Sequence, residues 1–96
     1  MHGGWVYLMT SRPFGPLYVG VTNDIARRVW EHRHGQGSAF TARYRLTRLI
    51  YVERHEDIVT AIQREKTIKH WSRAWQLNLI ESQNPEWADL FQTLNA

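Results

Sequence analysis

Apolar residues along this 96-residue chain first alternate with polar ones, then recur at helical spacing, and then repeat that sequence of patterns. Residues 5–10 are aromatic, β-branched and aliphatic and predict a strand; 11–16 are dense in turn formers; 17–21 predict a second strand, pairing with the first as an antiparallel hairpin. Thr22, Asn23 and Asp24 then offer oxygens to cap a helix that runs through Ile25, Ala26, Val29 and Trp30 to His34, where Gly35 stops it. A flexible link at 35–38 leads into 39–45, a short arginine-rich segment without a clear period, able to close over a ligand as a loop. Residues 46–54 contain Leu49, Ile50, Tyr51 and Val52 and predict a third strand, and 56–71 carry the apolar spacing of a long helix. Two more helices are expected: one over 72–82, the other starting at the Asn84–Pro85 pair and carrying Trp87, Leu90, Phe91 and Leu94. The fold class is therefore α/β of the α+β type, a small three-stranded antiparallel sheet flanked by helices in the order ββαβααα.

Composition narrows the function. A chain of this length supports one core, so a single domain over 1–96 is expected, and its 43% hydrophobic content is that of a globular protein. There is no cysteine, which excludes a disulfide framework, a thiolate nucleophile and a thiolate zinc ligand. No apolar run reaches the roughly 20 residues that span a bilayer, and the first residues lack the basic-then-apolar order of a signal peptide, so a cytoplasmic protein without membrane contact is expected. The net charge of +3 is uneven: eight arginines face Asp24, Glu31 and Glu53 between Arg12 and Arg54, whereas Glu81, Glu86 and Asp89 make the end acidic. Arginine's planar fork suits bidentate contact with phosphate, so the basic stretch suggests a phosphate-rich partner.

Three groups of side chains stand out against this background. Projected at about 100° per residue, Glu65 falls inside the apolar stripe of its helix, among Ile58, Ala61, Ile62 and Ile68. A carboxylate there needs a cation or donors; the two candidates are Lys69, one turn on, and a bound magnesium ion. On the first helix the same projection sets Arg28 and His32 beside the buried face of Ile25 and Val29, with Arg27 and Glu31 turned further round. A guanidinium and an imidazole at i, i+4 can clamp a phosphate and move a proton, although such pairs are also common as structure. Tyr7 and Tyr18 occupy central strand positions, where an aromatic ring is most often core.

Together these residues resemble the GIY-YIG endonuclease superfamily. Trp5-Val6-Tyr7 stands where the first Gly-Ile-Tyr would be, Tyr18-Val19-Gly20 matches the second motif, and Arg28, His32 and Glu65 follow in order, Glu65 within Arg64-Glu65-Lys66. The likeness covers roughly residues 5 to 85 and is greatest to small bacterial members related to the catalytic domain of the nucleotide-excision repair nuclease, which share a late Asn-Pro-x-Trp, here residues 84–87. Trp5 in place of glycine is the clear departure; it removes no chemical group. The resemblance implies a Mg²⁺-dependent endonuclease acting on DNA, with Mn²⁺ able to substitute and RNA a further possible substrate, in a role such as DNA repair. It assigns Glu65 to the metal, Tyr7 to the attacking water, Arg28 to the phosphoryl oxygens, and Tyr18 and His32 to the proton network. Arg27, Arg43, Arg45 and Arg48 are the expected nucleic-acid contacts. The alternatives are a noncatalytic nucleic-acid-binding module of the same fold and a protein-interaction domain using some of the five tryptophans.

Overall fold

The computed structural model describes residues 3–95. The elements are β1 (Gly4–Thr10), β2 (Tyr18–Thr22), α1 (Ile25–Arg33), α2 (Ala39–Tyr44), β3 (Arg48–His55), α3 (Ile58–Lys69), α4 (Arg73–Gln83) and a 3₁₀ helix, Leu90–Asn95. They realise the expected three-stranded antiparallel sheet with flanking helices. The strand order is β2-β1-β3, so β1 is central and β2 an edge. The segment at 39–45 is largely the helix α2, inserted before β3.

Side-chain alternation along β1 divides the interior between the two sheet faces. Val6 and Leu8 join Val19, Ile50 and Tyr51 against Ala61 and Ile68 of α3, Ile80 of α4 and Trp87. Tyr7 and Met9 point the other way, to Ile25 and Val29 of α1 and to Leu46 and Leu49. With helices over both faces, β1 loses the polar positions of a half-exposed strand: five consecutive residues, Val6 to Thr10, are fully buried. Opposite Leu8 and Met9, β3 carries a bulge, pairing Tyr51 with Leu8 and Leu49 with Met9. The extra residue, Ile50, lets two successive side chains of β3 enter the same core.

Each α-helix starts on a side chain that accepts a backbone N–H: Asp24, Ser38, Asp57 and Ser72. The expected helix from Asn84–Pro85 does not form. Asn84 ends α4, and its amide donates to the carbonyls of Ile50 (3.0 Å) and Ala88 (2.8 Å) while its oxygen accepts from Ala88 N (3.0 Å). The chain then turns through Trp87 at φ 56° and sets that indole, 1% exposed, into the α3–α4 core. Burial of a whole tryptophan outweighs the left-handed backbone it requires, and only the short 3₁₀ helix follows. Replacing Asn84 with Ala strands Ile50 O and the Ala88 amide together. We expect a loss of about 1–3 kcal/mol, seen as a lower urea midpoint at unchanged m-value; an unshifted midpoint would show that the Asn84 tie is dispensable.

Candidate active site

The site begins with the register of the hairpin. Tyr7 pairs with Gly20, and Met9 with Tyr18, so Tyr7 and Tyr18 share the α1 face on adjacent strands. The Tyr7 ring lies across the bare backbone of Gly20: a Cβ there would overlap its hydroxyl end. The two tyrosine rings are 6.2 Å apart, and the Tyr18 ring also stacks on Phe40 of α2 at 6.3 Å.

Helix α1 supplies the next layer. Ile25 and Val29 anchor it on the sheet, which turns His32 inward until it is 1% exposed. Its Nε2 lies 2.8 Å from the Tyr7 hydroxyl, in a fully buried hydrogen bond. Its ring centroid is 5.3 Å from that of Tyr18, nearly edge-on. On the far side, Nδ1 lies 2.8 Å from the Thr41 hydroxyl. Gly37 abuts the imidazole so closely that a Cβ would overlap the ring. Arg28, one turn before His32, is held by Glu31 at 3.0 Å; Glu31 also takes Arg27 at 3.3 Å.

These surroundings set the protonation states. Burial, reinforced by Tyr18, raises the Tyr7 phenol well above its ordinary range, while the neighbouring Arg28 guanidinium pulls the other way. Burial first and the Arg28 charge second push His32 down to about 4, so its imidazole is neutral at physiological pH. The hydrogen bond from Arg28 lowers Glu31, which keeps that carboxylate ionised.

Four of the five expected site residues, Tyr7, Tyr18, Arg28 and His32, thus come together between the sheet and α1. Glu65 comes from a different helix. It lies on α3, whose packing residues meet the opposite sheet face, and among the described residues no hydrogen bond or ion pair joins it to the other four. Glu65 is 8% exposed between Ala61 and Ile68, and Lys69 sits 3.1 Å from its carboxylate, the intrahelical partner anticipated from spacing. Ile62 proves to be 37% exposed, so the buried stripe of α3 is Ala61, Glu65 and Ile68 and is narrower than projected. Among the described residues, no group of three or more His, Asp or Glu side chains is placed to hold a metal, which leaves Glu65 as a single oxygen donor.

The four arginines expected on nucleic acid divide in two. Arg27, Arg43 and Arg45 are exposed, the last two at the end of α2. Arg48 is turned inward: it donates to the Trp87 carbonyl at 2.7 Å and its Nε is buried. It fastens the C-terminal segment to β3. Thr41 and Gly37 escaped the sequence reading. The Ser38-x-x-Thr41 spacing, which closes as a capping box at the start of α2, was the signal that could have found them.

Residues 3–78 match the family model described as the GIY-YIG catalytic domain. The chain is 36% identical over 76 residues to a UPF0213 protein of Staphylococcus saprophyticus, covering 79% of this chain and 92% of that protein. It is 36% identical over 81 residues to a UPF0213 protein of Staphylococcus aureus, covering 84% and 98% respectively. Its fold is similar to the solution NMR structure of a UPF0213 protein from Bacillus halodurans, with a TM-score of 0.56 and 24% identity over 91% of this chain and 92% of that one.

Proposed function

Because the chain belongs to the GIY-YIG family, we propose that it is a metal-dependent endonuclease that hydrolyses DNA phosphodiester bonds, in a role such as repair or recombination. The observation that carries this proposal is the buried Tyr7–His32 hydrogen bond of 2.8 Å with the Arg28 cation beside it. A phenol, a neutral imidazole and a guanidinium are the groups needed to move a proton and to meet charge on a phosphoryl oxygen.

Tyr7 orients the attacking water, its hydroxyl held by the hydrogen bond to His32 Nε2. His32 accepts that hydrogen bond because burial keeps the imidazole neutral, and Arg28 neutralises the non-bridging oxygens. Tyr18 walls the same face and orients the phosphate. Glu65 is the residue that would hold the metal. It fits a hard divalent cation: it is an oxygen donor kept out of water, its only ion-pair partner among the described residues is a lysine 57% exposed on a flexible stem, and magnesium is ordinarily held by one or two carboxylates with water and phosphate completing its shell. When bound, Mg²⁺, or Mn²⁺ in its place, acidifies water and neutralises the developing phosphoryl charge. Because β2 is an edge strand and α3 packs across it, we take the scissile phosphate to lie at that edge, between the layer of Arg28 and the layer of Glu65.

Supercoiled plasmid with Mg²⁺ or Mn²⁺ is nicked on this proposal and left intact with EDTA; cleavage that survives EDTA, or none on any DNA or RNA tried, would exclude it. Binding is expected to be sequence-independent and to weaken with salt, with a slope of log K on log salt of roughly −3 if Arg27, Arg43 and Arg45 each neutralise one phosphate. A flat salt dependence would remove those arginines from the interface. The noncatalytic binding module is the alternative favoured by one observation, the Glu65–Lys69 pair, which satisfies the carboxylate without a metal.

A further inference from the structure

We propose that Thr41 is a positioning residue that fixes the tautomer of His32, placing the imidazole proton on Nδ1 and leaving Nε2 bare to face the Tyr7 hydroxyl. The inference rests on the functional reading above for its consequence, but on hydrogen-bond accounting for its substance.

Tyr7 has no exposed surface in the free protein, so its phenolic proton needs a protein acceptor there. His32 Nε2 at 2.8 Å is the acceptor that hydroxyl meets, since Arg28, the other group beside it, can only donate. The Arg28 guanidinium lies beside the same oxygen, so a proton on Nε2 would bring a second positive dipole to it and leave the phenol's own proton without a partner. Tyr7 therefore donates and Nε2 accepts. A neutral imidazole with a bare Nε2 carries its proton on Nδ1, and Nδ1 faces the Thr41 hydroxyl at 2.8 Å.

Thr41 is equipped to receive that hydrogen bond. Its hydroxyl can donate to Ser38 Oγ at 3.0 Å or to the Ser38 carbonyl at 3.2 Å, and it accepts from the Ser38 backbone N–H at 3.1 Å. The oxygen is thus held in place by the capping box that starts α2, with a lone pair left for Nδ1–H. Gly37 lies against the Nδ1 edge of the ring, where any side chain would overlap the imidazole. In this way α2, a six-residue helix that supplies none of the groups assigned to the reaction, orients the base of α1.

Long-range ¹H–¹⁵N correlation of histidine side chains at neutral pH tests the assignment directly, without any need for cleavage. His32 in the parent is expected as the Nδ1–H form; an Nε2–H form overturns the proposal. In Thr41→Val, which keeps the shape and removes the acceptor, the Nδ1–H population is expected to fall, and cleavage to drop on the order of 10²-fold, the low end for loss of a positioned proton acceptor. Thr41→Ser restores both. An unchanged tautomer in Thr41→Val sinks the role of Thr41 whatever its activity, and if that variant does not fold, the parent spectrum together with Thr41→Ser still decides. If the tautomer shifts as expected while the parent cuts no nucleic acid, the Thr41 assignment stands and the nuclease proposal is the one that fails.

Discussion

Glu65→Ala is expected to abolish cleavage and to leave DNA binding close to that of the parent. On the proposed function, binding would draw on exposed arginines of α1 and α2, whereas cleavage would need charge met in the transition state. Removing one pre-set stabiliser of transition-state charge costs on the order of 10²–10³ in rate, and Glu65 is the one carboxylate assigned to the metal, so the loss should be at least that large. Stability is expected to hold or rise, because the substitution takes a charge out of the stripe between Ala61 and Ile68 and frees only Lys69, which already reaches solvent. Plasmid nicking, electrophoretic binding and thermal melting of the same folded variant check the three parts. A variant that cuts at the parental rate removes Glu65 from the mechanism.

Gly20→Ala is expected to damage both the fold and the site. The new methyl would occupy the space of the Tyr7 hydroxyl end, and that ring is fixed by burial and by His32. Overpacking of this kind costs about 1–3 kcal/mol, and a shift of about 1 Å in a reacting group can cost 10²-fold in rate. A double-mutant cycle isolates the cause: with Tyr7 already replaced by Ala, Gly20→Ala should cost much less stability, since nothing remains for its methyl to strike. An equal cost in both backgrounds would place the strain in the β2 backbone and away from the ring.

The hairpin, α1, β3 and α3 were legible because each is long enough to show a period, and because caps and turn residues mark its ends. The same periods put Arg28 with His32 on one helix face, whereas the shared sheet face of Tyr7 and Tyr18 follows from the hairpin register. The short helix α2 left no such trace. At six residues it completes fewer than two turns, and it is held by its capping box and by contact with His32. The end of the chain misled for a related reason: Asn84–Pro85 satisfies the local rule for starting a helix, but the Asn84 amide is bonded to Ile50, 34 residues away in sequence.

By itself, then, the sequence determined which element each candidate residue sits on and, for Arg28 and His32, which helix face they share, since these follow from spacing over a few residues. Tertiary structure decided what those faces meet. It buried His32 and so made it neutral, chose Thr41 as its second partner, turned Arg48 inward to the Trp87 carbonyl, and put Glu65 on the helix layer opposite the Tyr7 cluster. Each of these depends on contacts between segments distant along the chain, where burial and unpaired hydrogen-bonding groups, which no local period encodes, select among partners that local preference leaves equivalent.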